Sequence, residues 1–212
     1  MSVDSAAIQP GKNQDLHGNA PDRCGAALLL IDVLNDLDFP DNEELVRNAA
    51  GLSRRLVELK RRCRAAGIPV IYVNDNRGRW RSNLADVLEC CTRPGVPGRQ
   101  LSQSLAPDDD DYVVLKPKHS GFYATPLETL LQYIGARSVI IAGLTSNTCV
   151  LITVSDAFIR DFHVYVPCDC VAALNESDQR TALAMMRDNF YVDTSPSDRL
   201  NFEEVLSPRS KE

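Results

Sequence analysis

The sequence predicts an α/β fold: a three-layer α/β/α sandwich with a central, mostly parallel sheet of about six strands. Three observations lead there. Short apolar runs recur along the chain, and they are nearly continuous rather than alternating, as in strands buried on both faces of a parallel sheet. Each run is followed by a segment with helical spacing, which right-handed crossovers require. At 212 residues the chain fits one medium domain, long enough to bury most of its apolar surface without disulfides or metal.

Each element follows in order. Residues 1–23 are polar, rich in turn formers and without the basic-then-apolar order of a secretory signal, so they read as a mobile N-terminal arm. The domain proper is expected over 24–195 and a C-terminal tail over 196–212. "AALLLID" (26–32) is the first strand. Leu45, Ala49, Leu52, Leu56, Leu59 and Cys63 then form one helical stripe, ended by Gly67 and Pro69. Arg54, Arg55, Lys60, Arg61, Arg62 and Arg64 of the same segment read as its solvated face. "IPVIYVND" (68–75) is the second strand. The irregular stretch from 76 to 111 exceeds an ordinary connector and reads as a functional loop with a short helix over Leu84–Cys91.

"DYVVLK" (111–116) is the third strand. Thr125, Pro126 and Glu128 supply an N-cap, a first helical residue and a capping-box partner for a helix through "LETLLQYIG". "SVIIAG" (138–143) is the fourth strand, with a helix from Asn147 to Arg160 behind it. "HVYVPCD" (163–169) is the fifth, followed by a helix over Ser177–Asn189, and "FYVDT" (190–194) is the candidate sixth.

A net charge of −6 repels long anionic partners, which excludes nucleic acid and anionic membranes as expected partners. No apolar run reaches the ~20 residues that cross a bilayer. Seven cysteines with three histidines and no CxxC pair argue against structural zinc and for reduced thiols, hence a cytoplasmic setting. No cofactor and no metal are expected.

Ligand sites of open α/β sheets lie at the carboxyl ends of the strands. Asp32 closes "LLLID", Lys116 closes "YVVLK", and Cys149 opens the helix after "VIIAGL". Singly, these are an ordinary turn residue, a solvated lysine and a core cysteine. Together at one rim they explain one another. A helix N-terminus and a neighbouring cation lower a thiol pKa, so Cys149 reads as a nucleophile. Asp32 would take the thiol proton and return it to a departing nitrogen, with Lys116 keeping Asp32 ionised. Backbone amides in "LTSNTC" would receive the anionic oxygen.

The motifs "LLLIDVLNDL", "VVLKPKHSGFYATPLETLL" and "IIAGLTSNTCVLITVSDAFIRDF" resemble the isochorismatase-like cysteine hydrolases, with their Rossmann-type sandwich. The resemblance runs from Ala26 to Asn189. It implies Asp32 as acid/base, Lys116 as its charge partner and Cys149 as nucleophile. It also implies a cis peptide at Leu144–Thr145, an oxyanion hole from the amides of Thr145 and Cys149, and a homo-oligomer, dimer or tetramer. Nicotinamidases of this family bind a divalent metal with histidines after the second strand, where this chain reads "VNDNRGRW" with Asp75 and no histidine. Isochorismatases proper cleave a vinyl ether and carry glycine in place of the cysteine.

A retained Cys149 therefore points to hydrolysis of a C–N bond in a small amide or carbamoyl substrate. The alternatives are an isochorismatase-type hydrolase of another bond and a catalytically silent scaffold or binding protein. In the loop "NDNRGRWRSNL", Asn76, Arg77, Arg79 and Trp80 are expected to bind substrate, the arginines pairing with an anionic end. Phe122 is expected to wall the pocket. His119 reads as an exposed loop residue, and Asp169 as a structural strand-end carboxylate.

Overall fold

The computed structural model describes residues 23–208. Most of the expected N-terminal arm lies outside the described residues, as does the end of the tail from 209 on. The chain runs β1 (Ala26–Ile31), α1 (Glu43–Ala65), β2 (Val70–Asp75), α2 (Leu84–Thr92), α3 (Arg99–Ser104), β3 (Tyr112–Lys116), α4 (Leu127–Ile134) and β4 (Ser138–Leu144). A π-helical turn (Ser146–Val150), α5 (Leu151–Ile159), β5 (His163–Tyr165), β6 (Val171–Ala172), α6 (Glu176–Phe190), a 3-10 turn (Ser197–Arg199) and α7 (Phe202–Leu206) follow. The six strands form one parallel sheet in the order β3-β2-β1-β4-β5, with β6 pairing the end of β4.

Alternation along the strands sends side chains to opposite layers. Ala26, Leu28 and Leu30 of β1, with Tyr72, Ile140 and Ala142, meet Leu45, Leu52, Leu56, Leu59 and Cys63 of α1. Ala27, Leu29 and Ile31, with Ile71, Val73, Val139 and Ile141, meet Leu127 and Leu131 of α4, Val154 and Ala157 of α5, and Ala182 and Met186 of α6. Each fully buried leucine or isoleucine contributes about 1.5–3 kcal/mol relative to exposure. β1 is central and closed off on both faces, so the residue that follows it, Asp32, is held in the middle of the rim.

Several elements differ from the sequence expectation. β5 stops at Tyr165 because Pro167 has no N–H for a ladder, and the chain turns there with the Cys170 amide donating to the Pro167 carbonyl at 2.9 Å. "FYVDT" is not the sixth strand: Phe190 ends α6, Tyr191 adopts φ 53° as its left-handed cap, and only Asp193 bridges Tyr165. Val171 and Ala172 take that place instead, beside Gly143 and Leu144. At α4 the Leu127 amide donates to Thr125 Oγ1 at 3.2 Å, while Glu128 pairs with Arg160 at 2.8 Å rather than closing a capping box. The basic stripe of α1 is not wholly solvated either. Lys60 is buried and bonds Asp111 at 2.7 Å and Asp108 at 2.9 Å, with Arg64 joining Asp111 at 2.7 Å. The long 76–111 connection holds two helices, α2 closed by an Asn83/Asp86 capping box. Beyond residue 195, Val205 of α7 is buried against the α1-side core.

Candidate active site

Asp32 follows directly on β1, with φ 49°, and its amide still donates to the Val73 carbonyl at 3.1 Å. Its side chain is 7% exposed. Oδ1 accepts the Asp75 amide at 2.7 Å and Oδ2 lies 2.8 Å from Lys116 Nζ. Lys116 is the last residue of β3 and wholly buried. Because β2 separates β1 from β3, the pair spans the end of β2, and the Asp75 amide fills the position between them. Lys116 Nζ also reaches Cys149 Sγ, at 3.5 Å.

Cys149 is carried there by an unusual turn. Gly143 has φ 122°, and a Cβ on it would stand 2.0 Å from the Ile31 carbonyl oxygen, so only glycine lets β4 run this close to the end of β1. The next peptide, Leu144–Thr145, is cis. The π-helical turn then opens at Ser146, so Cys149 sits within its first turn rather than at its start. The Thr145 carbonyl accepts the amides of Thr148 (3.1 Å) and Val150 (3.2 Å), one on either side of Cys149.

Side chains brace this turn from both neighbouring helices. The Ser146 hydroxyl donates to Gln179 Oε1 of α6 at 2.6 Å, and Gln179 Nε2 donates to the Val171 carbonyl at 3.0 Å. Thr153 of α5 donates its hydroxyl to the Cys149 carbonyl at 2.7 Å and accepts the Gly121 amide at 3.0 Å. That bond ties the loop after β3 to the helix behind the cysteine.

The electrostatics reverse one expectation. Burial, and then the Asp32 charge, push the Cys149 thiol up to about 12, against the opposing pull of Lys116. The resting group is a neutral thiol, not a thiolate lowered by its helix. Burial also raises Asp32 above the ordinary carboxylate range despite the lowering effect of Lys116, which makes it a stronger base. Burial acts to lower Lys116, but the charge and hydrogen bond of Asp32 outweigh it and keep the ammonium protonated.

The other sequence candidates divide. Asn76 is buried at the root of the loop: its amide donates to the Lys116 carbonyl at 3.0 Å, and its side chain accepts the Gly78 amide at 2.9 Å. Arg77 pairs with Asp36 at 2.7 Å. Arg79 and Trp80 are exposed, Trp80 to 84%. Phe122 lies in the core of the second layer, its ring 6.1 Å from that of Phe162 and 4.8 Å from the Arg160 guanidinium. Thr145 is half-buried beside the cysteine turn. Asp169 holds the 3-10 turn, accepting the amide (2.7 Å) and hydroxyl (2.9 Å) of Ser197.

One residue at the site was read only as a loop residue. His119 is exposed, yet its Nδ1 stands 3.5 Å from Cys149 Sγ. The available signal was its position three residues after a strand-end lysine, which leaves it little room to depart from the rim. Among the described residues, no group of three or more His, Cys, Asp or Glu side chains converges as a metal site, and no helix is long and apolar enough to cross a membrane.

The isochorismatase domain model matches residues 26–196. An uncharacterised isochorismatase family protein of Bacillus subtilis is 33% identical over 174 residues, covering 82% of this chain and 95% of its own length. The ureidoacrylate amidohydrolase of Methylobacterium radiotolerans is 37% identical over 170 residues, covering 70% of this chain and 64% of its own. Among solved structures, an isochorismatase family protein from Desulfovibrio vulgaris superposes with a TM-score of 0.68 at 24% identity, covering 87% of this chain and all of its own, and so shares the fold. With the match extending from the first strand to the end of the last long helix, the chain belongs to the isochorismatase family and is a hydrolase.

Proposed function

We propose that the protein is a cysteine hydrolase that cleaves a C–N bond of a small amide or carbamoyl substrate through a covalent thioester. The observation that carries this is the convergence of three reactive groups at one rim: Asp32 Oδ2 at 2.8 Å and Cys149 Sγ at 3.5 Å from the same buried Lys116 Nζ. A binding protein has no use for a buried cation shared by a carboxylate and a thiol. The identity to an amidohydrolase favours a C–N bond over a vinyl ether.

In this mechanism Asp32 removes the Cys149 proton as sulfur attacks the carbonyl carbon. With burial pushing the thiol up to about 12, little thiolate is present at rest, and Asp32 is the base that releases it. Lys116 balances negative charge as it passes from carboxylate to sulfur. The amides of Thr145 and Cys149 stabilise the tetrahedral oxyanion, a contribution of about 3–4 kcal/mol where such donors have been removed. Asp32 then protonates the departing nitrogen, the C–N bond breaks, and water hydrolyses the thioester.

Arg79 and Trp80 are exposed side chains of the 76–111 segment, and in this reading they select the anionic or flat portion of a ligand. In the same reading, Asn76 and Arg77 fix the loop that presents them, and Phe122 backs the wall behind. Assembly as a dimer or tetramer completes the site, and sedimentation at micromolar concentration tests it against a monomer of 23.4 kDa.

The test is a panel of small amides, carbamoyl compounds, nicotinamide and isochorismate, with ammonia release and intact mass recorded for wild type and Cys149→Ala. Turnover with a transient adduct on Cys149, both lost in the alanine variant, is the expected result. Hydrolysis by Cys149→Ala at the wild-type rate would defeat covalent catalysis.

A further inference from the structure

The end of the sheet opposite the catalytic rim carries a cavity of its own. α5, which starts just after Cys149, ends at Ile159, and β5 then begins level with Ser138, the first residue of β4. The ends of α5 and α6, the strand β5 and the first turn of α7 border a cavity of about 800 Å³ there, a size that suits a small molecule. Its wall is aromatic. The Phe158 ring lies 5.5 Å from that of Phe190 and 6.4 Å from that of Tyr191. Tyr191, which ends α6 in the left-handed region, is 84% exposed, and Ile159 beside it in the lining is 69% exposed.

The charges around this wall have one sign. Asp161, Asp193 and Glu204 line the cavity, and no lysine or arginine does. None of the three carboxylates makes an ion pair among the described residues; Arg160, next to Asp161 in the chain, pairs with Glu128 and Asp156 instead. The helices add to the same sign, because α5 and α6 both end at the cavity and a helix C-terminus carries partial negative charge. Tyr165 supplies a polar group in the lining. It is 8% exposed, yet its hydroxyl makes no hydrogen bond among the described residues. Burial, and then the charges of Glu204 and Asp193, raise its pKa, so the hydroxyl stays neutral and able to donate. A buried hydroxyl without a partner is costly, and a ligand in the cavity would supply one. A second copy docked here about a two-fold axis would instead set the three carboxylates against their own counterparts.

We propose that this cavity is a binding site for a small organic cation, an ammonium group carried on an apolar body. The aromatic faces attract the cation through their ring electrons, and the carboxylates and helix ends balance its charge. The Tyr165 hydroxyl bonds a polar substituent of the ligand. A neutral molecule of the same shape fills the space without meeting the charge, and an anion is repelled. The site shares no residue with the Asp32, Lys116 and Cys149 group, so it does not depend on the thioester reading.

The experiment titrates the full-length chain with choline and with 3,3-dimethylbutan-1-ol, a neutral molecule of the same shape, following the methyl signals of each by ligand-observed NMR. Choline should bind on the order of 10-fold more tightly than the alcohol. Tyr191→Ala and Glu204→Gln alter exposed side chains and should each weaken choline several-fold with the urea midpoint unchanged. Tyr165→Phe removes only the unpartnered hydroxyl and should weaken choline as well. Equal binding of the two probes, or binding of neither, overturns the proposal. Choline binding that is unchanged in both Tyr191→Ala and Glu204→Gln lies elsewhere on the molecule and overturns it too. Sedimentation supplies the remaining outcome: a dimer that Tyr191→Ala dissociates and choline leaves intact would make this face an interface between copies, against the proposal.

Discussion

Lys116 Nζ stands 2.8 Å from Asp32 Oδ2, and neither side chain has appreciable contact with water. Removing one member leaves the other buried without its opposite charge. Lys116→Met should therefore cost about 3–5 kcal/mol of stability by urea unfolding, and Asp32→Asn with Lys116→Met markedly less. The pair also sets an alkaline limit. The raised Lys116 pKa stabilises the fold fully below the unfolded lysine value of ~10.4, and that stabilisation is lost as pH rises through the folded value. Wild type should lose stability on that alkaline limb, and the double variant should lack this component. Equal slopes in the two proteins would show that Lys116 is not coupled to the fold in this way.

Asp32 raises the Cys149 pKa and, in the proposed mechanism, also serves as its base, so the two effects separate on mutation. Asp32→Asn removes a negative charge and leaves the Lys116 ammonium free to favour the thiolate. Iodoacetamide at pH 8 should label Cys149 several-fold faster in Asp32→Asn than in wild type. Amide turnover should fall by roughly 10²–10⁴ in the same variant. Labelling that slows together with turnover would mean that the Asp32 charge does not hold the thiol neutral.

The brace on the cysteine turn predicts a smaller effect. Gln179→Leu leaves the buried Ser146 hydroxyl without its acceptor and the Val171 carbonyl without that donor, for about 1–3 kcal/mol. Gln179→Glu keeps the acceptor for Ser146 and should retain more of kcat than Gln179→Leu. Identical kcat values would show that the turn does not depend on this bond.

At the loop, Arg77 and Arg79 should behave differently. Arg77→Ala leaves Asp36, whose side chain is 7% exposed, without its 2.7 Å partner, so both stability and KM should suffer. Arg79→Ala disturbs no buried group and should raise KM for a carboxylated amide while leaving the urea midpoint within about 0.5 kcal/mol of wild type. If neither variant distinguishes charged from neutral amides of the same size, the loop does not read substrate charge.

Much of the site was legible because strand ends in a parallel sheet fix a rim. Knowing that "LLLID", "YVVLK" and "VIIAGL" are strands is enough to bring Asp32, Lys116 and Cys149 to one edge. What resisted was whatever depends on where a loop goes after leaving the rim. His119 is brought to the sulfur by the Gly121–Thr153 bond, which no local pattern announces. The partner of Arg77 lies after a different strand. The state of the thiol followed the same rule: a helix start is visible in sequence, but the burial that outweighs it is not. "FYVDT" has strand composition, yet its tyrosine serves as the left-handed end of α6.

The order β3-β2-β1-β4 has a consequence for how the protein acquires its activity. Each of these neighbours is parallel, so each ladder forms only after a long crossover has closed, and such pairings are slow because the chain entropy is lost before the contacts form. Asp32 and Lys116 meet only across a finished β2, and Cys149 joins them only when β4 has docked beside β1. No locally folded piece of the chain holds two of the three groups together. Chemical competence is thus a report on the whole sheet: during refolding from urea, helical signal should return first, and hydrolysis only with the last long-range strand pairing.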